Sequence, residues 1–204
     1  MANIIIRRAR QDEAYQIAML MRIASEGLVE EYLAGIVSGV TATELRARLV
    51  AMGTTSCSFK RCFVAVAQTD IVGQANFVAP EKFEILPRNW LFSLGVVPAL
   101  RLWWRSRRYR AFERLQCPGS LCIDTIAVLP EYRGQSIGNQ LIMAIKQRAR
   151  SKGIKKVSLR VWADNVQAQR LYERQGFKIA ASLDLAGHGA LAHRGRSLLM
   201  VCDV

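Results

Sequence analysis

The sequence predicts an α/β fold in which helices pack on a sheet that contains an antiparallel strand pair. Three observations carry this expectation. The chain has 204 residues, 51% of them hydrophobic and only 22% charged, so it can bury a substantial core; an intrinsically disordered basic protein is excluded. Two β-rich runs, Arg61 to Ala67 and Ile71 to Val78, are separated by Gln68, Thr69 and Asp70, which is the spacing of an antiparallel hairpin. Downstream, strand-like and helix-like runs alternate, and the helix-like ones stop at Gly153 and Gly176.

Taken in order, Ile4 to Arg8 reads as a first strand. Ala14, Ile17, Ala18, Met21 and Ala24 then fall at helical spacing, with Gln11 or Asp12 as the expected cap. Leu28, Val29, Tyr32, Leu33, Ile36 and Val37 form a second helical stripe, closed by Gly39. A third helix begins at Thr41, where Thr41 and Glu44 have capping-box spacing, and ends before Gly53. The hairpin strands follow. Residues 79–120 break every pattern: Pro80, Pro87, Pro98 and Pro118 are interleaved with Trp90, Trp103, Trp104 and a run of arginines, which reads as an insertion holding one or two short helices. Leu121 to Val128 is then a strand, Leu129 to Gly138 a turn, Asn139 to Lys152 a helix and Lys156 to Trp162 a strand. Asp164 and Asn165 cap a short helix over Val166 to Gln175, and Phe177 to Leu185 and Ser197 to Val204 are closing strands. One domain, residues 1–204, is expected, with the insertion at about 79–120.

The formal charge is +13, and its distribution matters more than its sum. Residues 1–78 carry 8 basic and 7 acidic side chains, whereas 79–120 carry 8 and 3, and 121–204 carry 13 and 6. An anionic ligand is therefore expected on the C-terminal two thirds. The five cysteines lack CxxC spacing and read as free thiols. His188 and His193 lie in a Gly-rich stretch without neighbouring Cys or carboxylate clusters, so no metal site is expected. The basic start does not have the order of a secretory signal, and a cytoplasmic location is the expectation. Trp90 to Leu100 is uncharged, but eleven residues fall short of the roughly 20 that span a bilayer.

The chemistry-bearing segment is Leu129 to Gly138. It follows a strand and precedes a helix, and its small residues allow backbone N–H groups to converge at the positive end of that helix, where phosphate oxygens bind. Arg133 reinforces the anion site. The order Arg133-Gly134-Gln135-Ser136-Ile137-Gly138, followed by Asn165, Ala168, Leu171-Tyr172 and Gly176-Phe177, resembles the GCN5-related N-acetyltransferase (GNAT) superfamily. Its acetyl-CoA signature is Gln or Arg, two residues, Gly, any residue, then Gly or Ala. The resemblance is closest over 121–182 and extends plausibly over 1–78 and 197–204. The first signature glycine is Ser136 here; serine tolerates positive φ poorly, so a turn demanding that geometry is strained by about 1 kcal/mol.

The resemblance implies an α/β fold on a mixed, largely antiparallel sheet, flanked by helices, whose two central strands, 121–128 and 156–162, run parallel and part at their ends to admit acetyl-CoA. It implies that backbone groups of Ile126, Ala127 and Val128 pair with the pantetheine arm. Main-chain N–H groups from Arg133 through Gly134, Gln135, Ser136, Ile137 and Gly138, with Asn139 opening the helix, would hold the pyrophosphate. Asn165 would contact the pantetheine or order its loop, Ala168 would leave room beside it, and Tyr172 matches the acid that protonates the departing thiolate. The reaction the resemblance implies is direct acetyl transfer to an amine in a ternary complex, which suits a sequence without an evident Cys-His nucleophile pair.

An alkyl ammonium must also lose a proton before it attacks. Asp124, inside a central strand on the same face as Cys122 and Ile126 by simple alternation, is the first candidate base, with a structural ion-pair role as its alternative. Glu131 is the second candidate, against a solvated turn. Glu26, Glu30 and Glu31, at the join of the first two helices, would draw a cationic acceptor. Assembly as a homodimer stays open. So do two rivals: a non-catalytic nucleic-acid-binding protein using Trp103, Trp104 and Arg105 to Arg110, and a peripheral membrane module using residues 90–110.

Overall fold

The hairpin expected from the sequence lies near the middle of a larger sheet. The structure, a computed structural model, describes residues 3–53, 55–78, 94–106, 115–185 and 195–204. Within them the strands are β1 (Ile4–Arg8), β2 (Cys62–Ala67), β3 (Asp70–Val78), β4 (Leu121–Val128), β5 (Lys156–Trp162), β6 (Lys178–Asp184) and β7 (Arg196–Asp203). The helices are α1 (Ala14–Ala24), α2 (Leu28–Leu33), α3 (Ala42–Ala51), α4 (Val96–Ser106), α5 (Ile137–Ser151) and α6 (Val166–Arg174). The seven strands lie in the order β1-β2-β3-β4-β5-β7-β6, antiparallel throughout except between β4 and β5.

Strand β2 shows why this sheet is covered on both faces. Cys62, Val64 and Val66 pack under Ile17, Met21 and Val50 of α1 and α3, while Ala65 and Ala67 join the cluster built on Leu141, Ile142 and Ile145 of α5. Both side-chain sets of the strand are therefore apolar, and period-two alternation vanishes from its sequence. A third cluster packs Leu102 of α4 against Leu33, Ile36, Leu45 and Leu49. Arg105 of α4 donates to the carbonyls of Tyr32 and Ala34, at 3.0 and 2.5 Å, and so closes the C-terminal end of α2.

Several boundaries differ from expectation for local reasons. Helix α2 stops at Leu33 because Ala34 turns extended and Gly35 takes φ +66°; Ile36 is still buried, but from the turn. Neither Gln11 nor Asp12 caps α1. Residues Gln11–Glu13 form a 3-10 turn, and the Glu13 carboxylate reaches back to the Arg10 N–H at 2.7 Å while pairing with Arg7. Helix α5 starts at Ile137, two residues before the expected Asn139. Thr41 caps α3 as its spacing predicts, with Glu44 completing the capping box.

Helix α4 lies inside the expected insertion, whereas residues 79–93 and 107–114 are outside the described residues, and with them Arg107, Arg108, Arg110 and the first part of the apolar Trp90 to Leu100 run. His188 and His193 also lie outside them. Among the described residues no helix is long and apolar enough to cross a membrane.

Candidate active site

Strands β4 and β5 pair at only three positions, Leu121 with Val157, Cys122 with Ser158 and Ile123 with Leu159. Their ladder then ends, and a cleft of about 1130 Å³ opens along the unpaired part of β4. Its walls come from α1, α2 and α3 on one side and from residues 132–139 and α6 on the other. At the point of separation the β3–β4 register slips: Phe77 faces Ile123 but Asn76 faces Thr125, so Asp124 is an extra residue on β4. This bulge shifts the alternation by one. Ile126 consequently packs on the cluster containing Leu121 and Ile123, and does not share the Cys122 and Asp124 face that simple alternation predicts.

Asp124 lines the cleft, with Oδ1 3.6 Å from Arg160 Nη2 on β5. The carboxylate is exposed at the cleft and paired across the opening of the sheet, so it is not the costly buried charge that a place inside a central strand suggests. On the opposite wall, Tyr172 projects from α6 into the same cleft, 7% exposed and edge-on to Phe177 at 6.0 Å. Burial pushes its phenol up to about 12, so the hydroxyl keeps its proton throughout the neutral range.

The turn before α5 has the geometry of an anion cradle. Gly134 and Ser136 both take positive φ, at +78° and +59°, and Ser136 stands at the N-cap of α5 without a side-chain cap bond. The first N–H groups of a 15-residue helix therefore face the turn without intrahelical partners. Arg133 donates from Nε to the Val128 carbonyl at 3.3 Å, and Arg133, Arg170 and Arg174 line this end of the cleft. Asn165 caps α6, its Oδ1 accepting from Ala168 N–H at 3.0 Å. Asn139 accepts from Gln175 at 3.2 Å, tying α5 to the end of α6.

Of the residues singled out in the sequence, the cleft brings together Asp124, Ile126, Ala127, Val128, Arg133, Gly134, Ser136, Ile137, Gly138, Asn139, Asn165, Ala168, Tyr172 and Glu26. Gln135 and Glu131 are exposed and do not line it. Glu30 turns instead to Arg46 of α3, and Glu31 is exposed. The sequence reading missed Arg46 and Arg160. Arg46 had a visible signal, a charge inside the inward stripe of Leu45, Leu49 and Val50.

The left-handed Ser136 yields a direct test. A residue with a Cβ costs about 1 kcal/mol in that region, so Ser136→Gly is expected to raise the melting temperature by about 2–4 °C. Thermal melts check this, and an unchanged or lower midpoint would show that the hydroxyl compensates for the backbone.

The sequence model of the Acetyltransferase (GNAT) family matches residues 39–177, about two thirds of the chain. The chain belongs to the GNAT acetyltransferase family. Short segments of this GNAT protein are similar to curated relatives: 49% identity over 47 residues to an uncharacterised N-acetyltransferase, YycN, of Bacillus subtilis (strain 168), covering 23% of this chain and 30% of that one. A putative [ribosomal protein bS18]-alanine N-acetyltransferase of the same organism is 39% identical over 56 residues, 28% of this chain and 37% of its own. The matches thus span well under half the length of these relatives. The crystal structure of an N-acetyltransferase from Staphylococcus aureus Mu50 superposes with a TM-score of 0.70 at 17% identity, over 97% of this chain and 99% of that one, and shows the shared fold.

The thiols of this GNAT chain are all free. Burial raises Cys57, Cys62 and Cys122 above the usual thiol range, so none is poised as a thiolate nucleophile.

Proposed function

We propose that this protein transfers an acetyl group from acetyl-CoA directly to the amine of a small molecule or peptide. The observation that carries the proposal is the convergence, in one cleft, of the Gly134 to Gly138 anion cradle, an unpaired β4 edge, a protonated Tyr172 and the Asp124 carboxylate. The residues fit the donor. An extended pantetheine arm matches the unpaired edge of β4, its pyrophosphate matches N–H groups at the head of α5, and Arg133, Arg170 and Arg174 supply the opposite charge.

In the step proposed, the amine nitrogen attacks the thioester carbonyl carbon, a C–N bond forms and the C–S bond breaks. Main-chain N–H groups at Ile126 to Val128 stabilise the developing oxyanion. Asp124 accepts the proton lost by the amine, directly or through water, and Tyr172 donates its proton to the departing sulfur. Arg160, 3.6 Å away across the opening, orients the Asp124 carboxylate for this task. Elevated thiol pKa values favour this direct route over a cysteinyl intermediate.

The test is a thiol-release assay with acetyl-CoA over a panel of polyamines, aminoglycosides, amino acids and peptides, run on the wild type and on Asp124→Asn. We expect acceptor-dependent thiol release, and for Asp124→Asn a lower rate with acetyl-CoA binding intact. If acetyl-CoA neither binds in calorimetry nor is consumed, the functional reading fails; if Asp124→Asn turns over normally, Asp124 is only an ion-pair partner of Arg160.

The rival readings fare less well on the described residues. Arg105, offered for nucleic-acid binding, is engaged at the end of α2. Val96, Val97 and Leu100 are exposed on α4, but the remainder of the segment proposed to meet a membrane lies outside the described residues.

A further inference from the structure

One charged group in the cleft wall has no part in the transfer chemistry. Arg46 of α3 is 4% exposed and lines the cleft, and Asp124 lies near enough for its charge to act on the guanidinium. Its Nη1 is 3.3 Å from Glu30 Oε1, yet among the described residues neither atom has a hydrogen-bond partner. The pair is matched in charge but not in hydrogen bonding. A guanidinium carries five N–H donors in a planar fork, and a buried one with an unmet donor is costly unless an acceptor arrives.

We propose that the acceptor is a free amino acid or a closely related amino carboxylate, whose carboxylate seats on Arg46 while its amine is presented toward Asp124. This rests on the amine-acetylation reading above and narrows it to a substrate class. The planar fork matches a carboxylate through two parallel hydrogen bonds. Charge selects the same class. A polyamine would bring only positive charge to a buried cation, whereas a dianionic phosphate would meet both Glu30 and Asp124. A monoanion can share the guanidinium with Glu30, and the amine of the same molecule passes Glu26 at the cleft wall.

The test compares amino acids with their decarboxylated amines in the thiol-release assay: arginine with agmatine, lysine with cadaverine, tyrosine with tyramine and tryptophan with tryptamine, alongside the remaining common amino acids. At least one amino acid is expected to exceed its own amine in kcat/KM by roughly 10- to 100-fold, the range of a charge-assisted hydrogen-bonded contact. Arg46→Lys should raise the KM of that amino acid and shrink the ratio. Arg46→Met combined with Glu30→Gln removes both buried charges together and should bring the ratio near one, with folding checked by thermal melts. Amines that turn over as well as or better than amino acids would overturn the proposal, as would no turnover of any panel member by protein that binds acetyl-CoA. A ratio unchanged in the doubly substituted protein would also overturn it. Failure to bind acetyl-CoA would instead overturn the underlying acetyltransferase reading.

Discussion

Tyr172→Phe is expected to lower kcat by about 10²- to 10⁴-fold while leaving the fold and the affinity for acetyl-CoA intact. The substitution keeps the ring, its burial and its edge contact with Phe177, and removes only the proton that the leaving sulfur requires. Steady-state kinetics with calorimetry check it; turnover at the wild-type level would leave Tyr172 a packing residue. A stability consequence follows from the same hydroxyl. Its folded pKa, about 12, lies above the ordinary tyrosine value near 10, so the folded state holds the proton where the unfolded state has lost it. That contribution is fully present below pH about 10 and is lost as pH rises toward 12. Tyr172→Phe should flatten this alkaline loss.

Gly138→Asp is expected to weaken acetyl-CoA binding by at least about 100-fold, to no detectable heat at millimolar ligand in calorimetry, because like charges forced together cost several kcal/mol. Gly138 is the second residue of α5, and a Cβ added there would already meet Leu171 Cδ2 at 3.3 Å. An aspartate at a helix N-terminus is not unfavourable to the helix itself; it complements the dipole. The damage is therefore expected to fall on the ligand, since the new carboxylate would occupy the charge environment proposed for the pyrophosphate. Wild-type affinity in this variant would move the pyrophosphate site away from the α5 turn.

Much of the architecture is written in local sequence. The ends of β1, β4 and β5 coincide with their apolar runs, and the Thr41 to Glu44 spacing marks the start of α3. What is not written locally is the tertiary adjustment. The bulge at Asp124 is a slip between two backbones, carried by no residue type, and it moves Ile126 to the other face. Gly35 ends α2 early although the apolar stripe runs on to Val37, because a left-handed residue overrides periodicity. At the site, the order of the cradle and the Asn165 to Phe177 segment is legible because both are short and contiguous. The Arg46–Glu30 pair joins α2 to α3, and the Asp124–Arg160 pair joins two strands; pairings between distant elements leave little trace in either segment alone.

The two ends of the cleft are encoded in different materials, and this bears on how the protein can change over generations. On the side proposed for the donor, the groups offered are largely main-chain ones, at the open edge of β4 and the head of α5, which most side-chain substitutions leave in place unless, like Gly138→Asp, they add opposing charge. The opposite end, proposed here for the acceptor, is lined by side chains such as Arg46, Glu26 and Tyr32, each removable by one codon change. Drift can therefore rewrite the acceptor while the donor slot persists, so long as the β4–β5 opening and the turn geometry survive. The scaffold is buffered at one end and evolvable at the other.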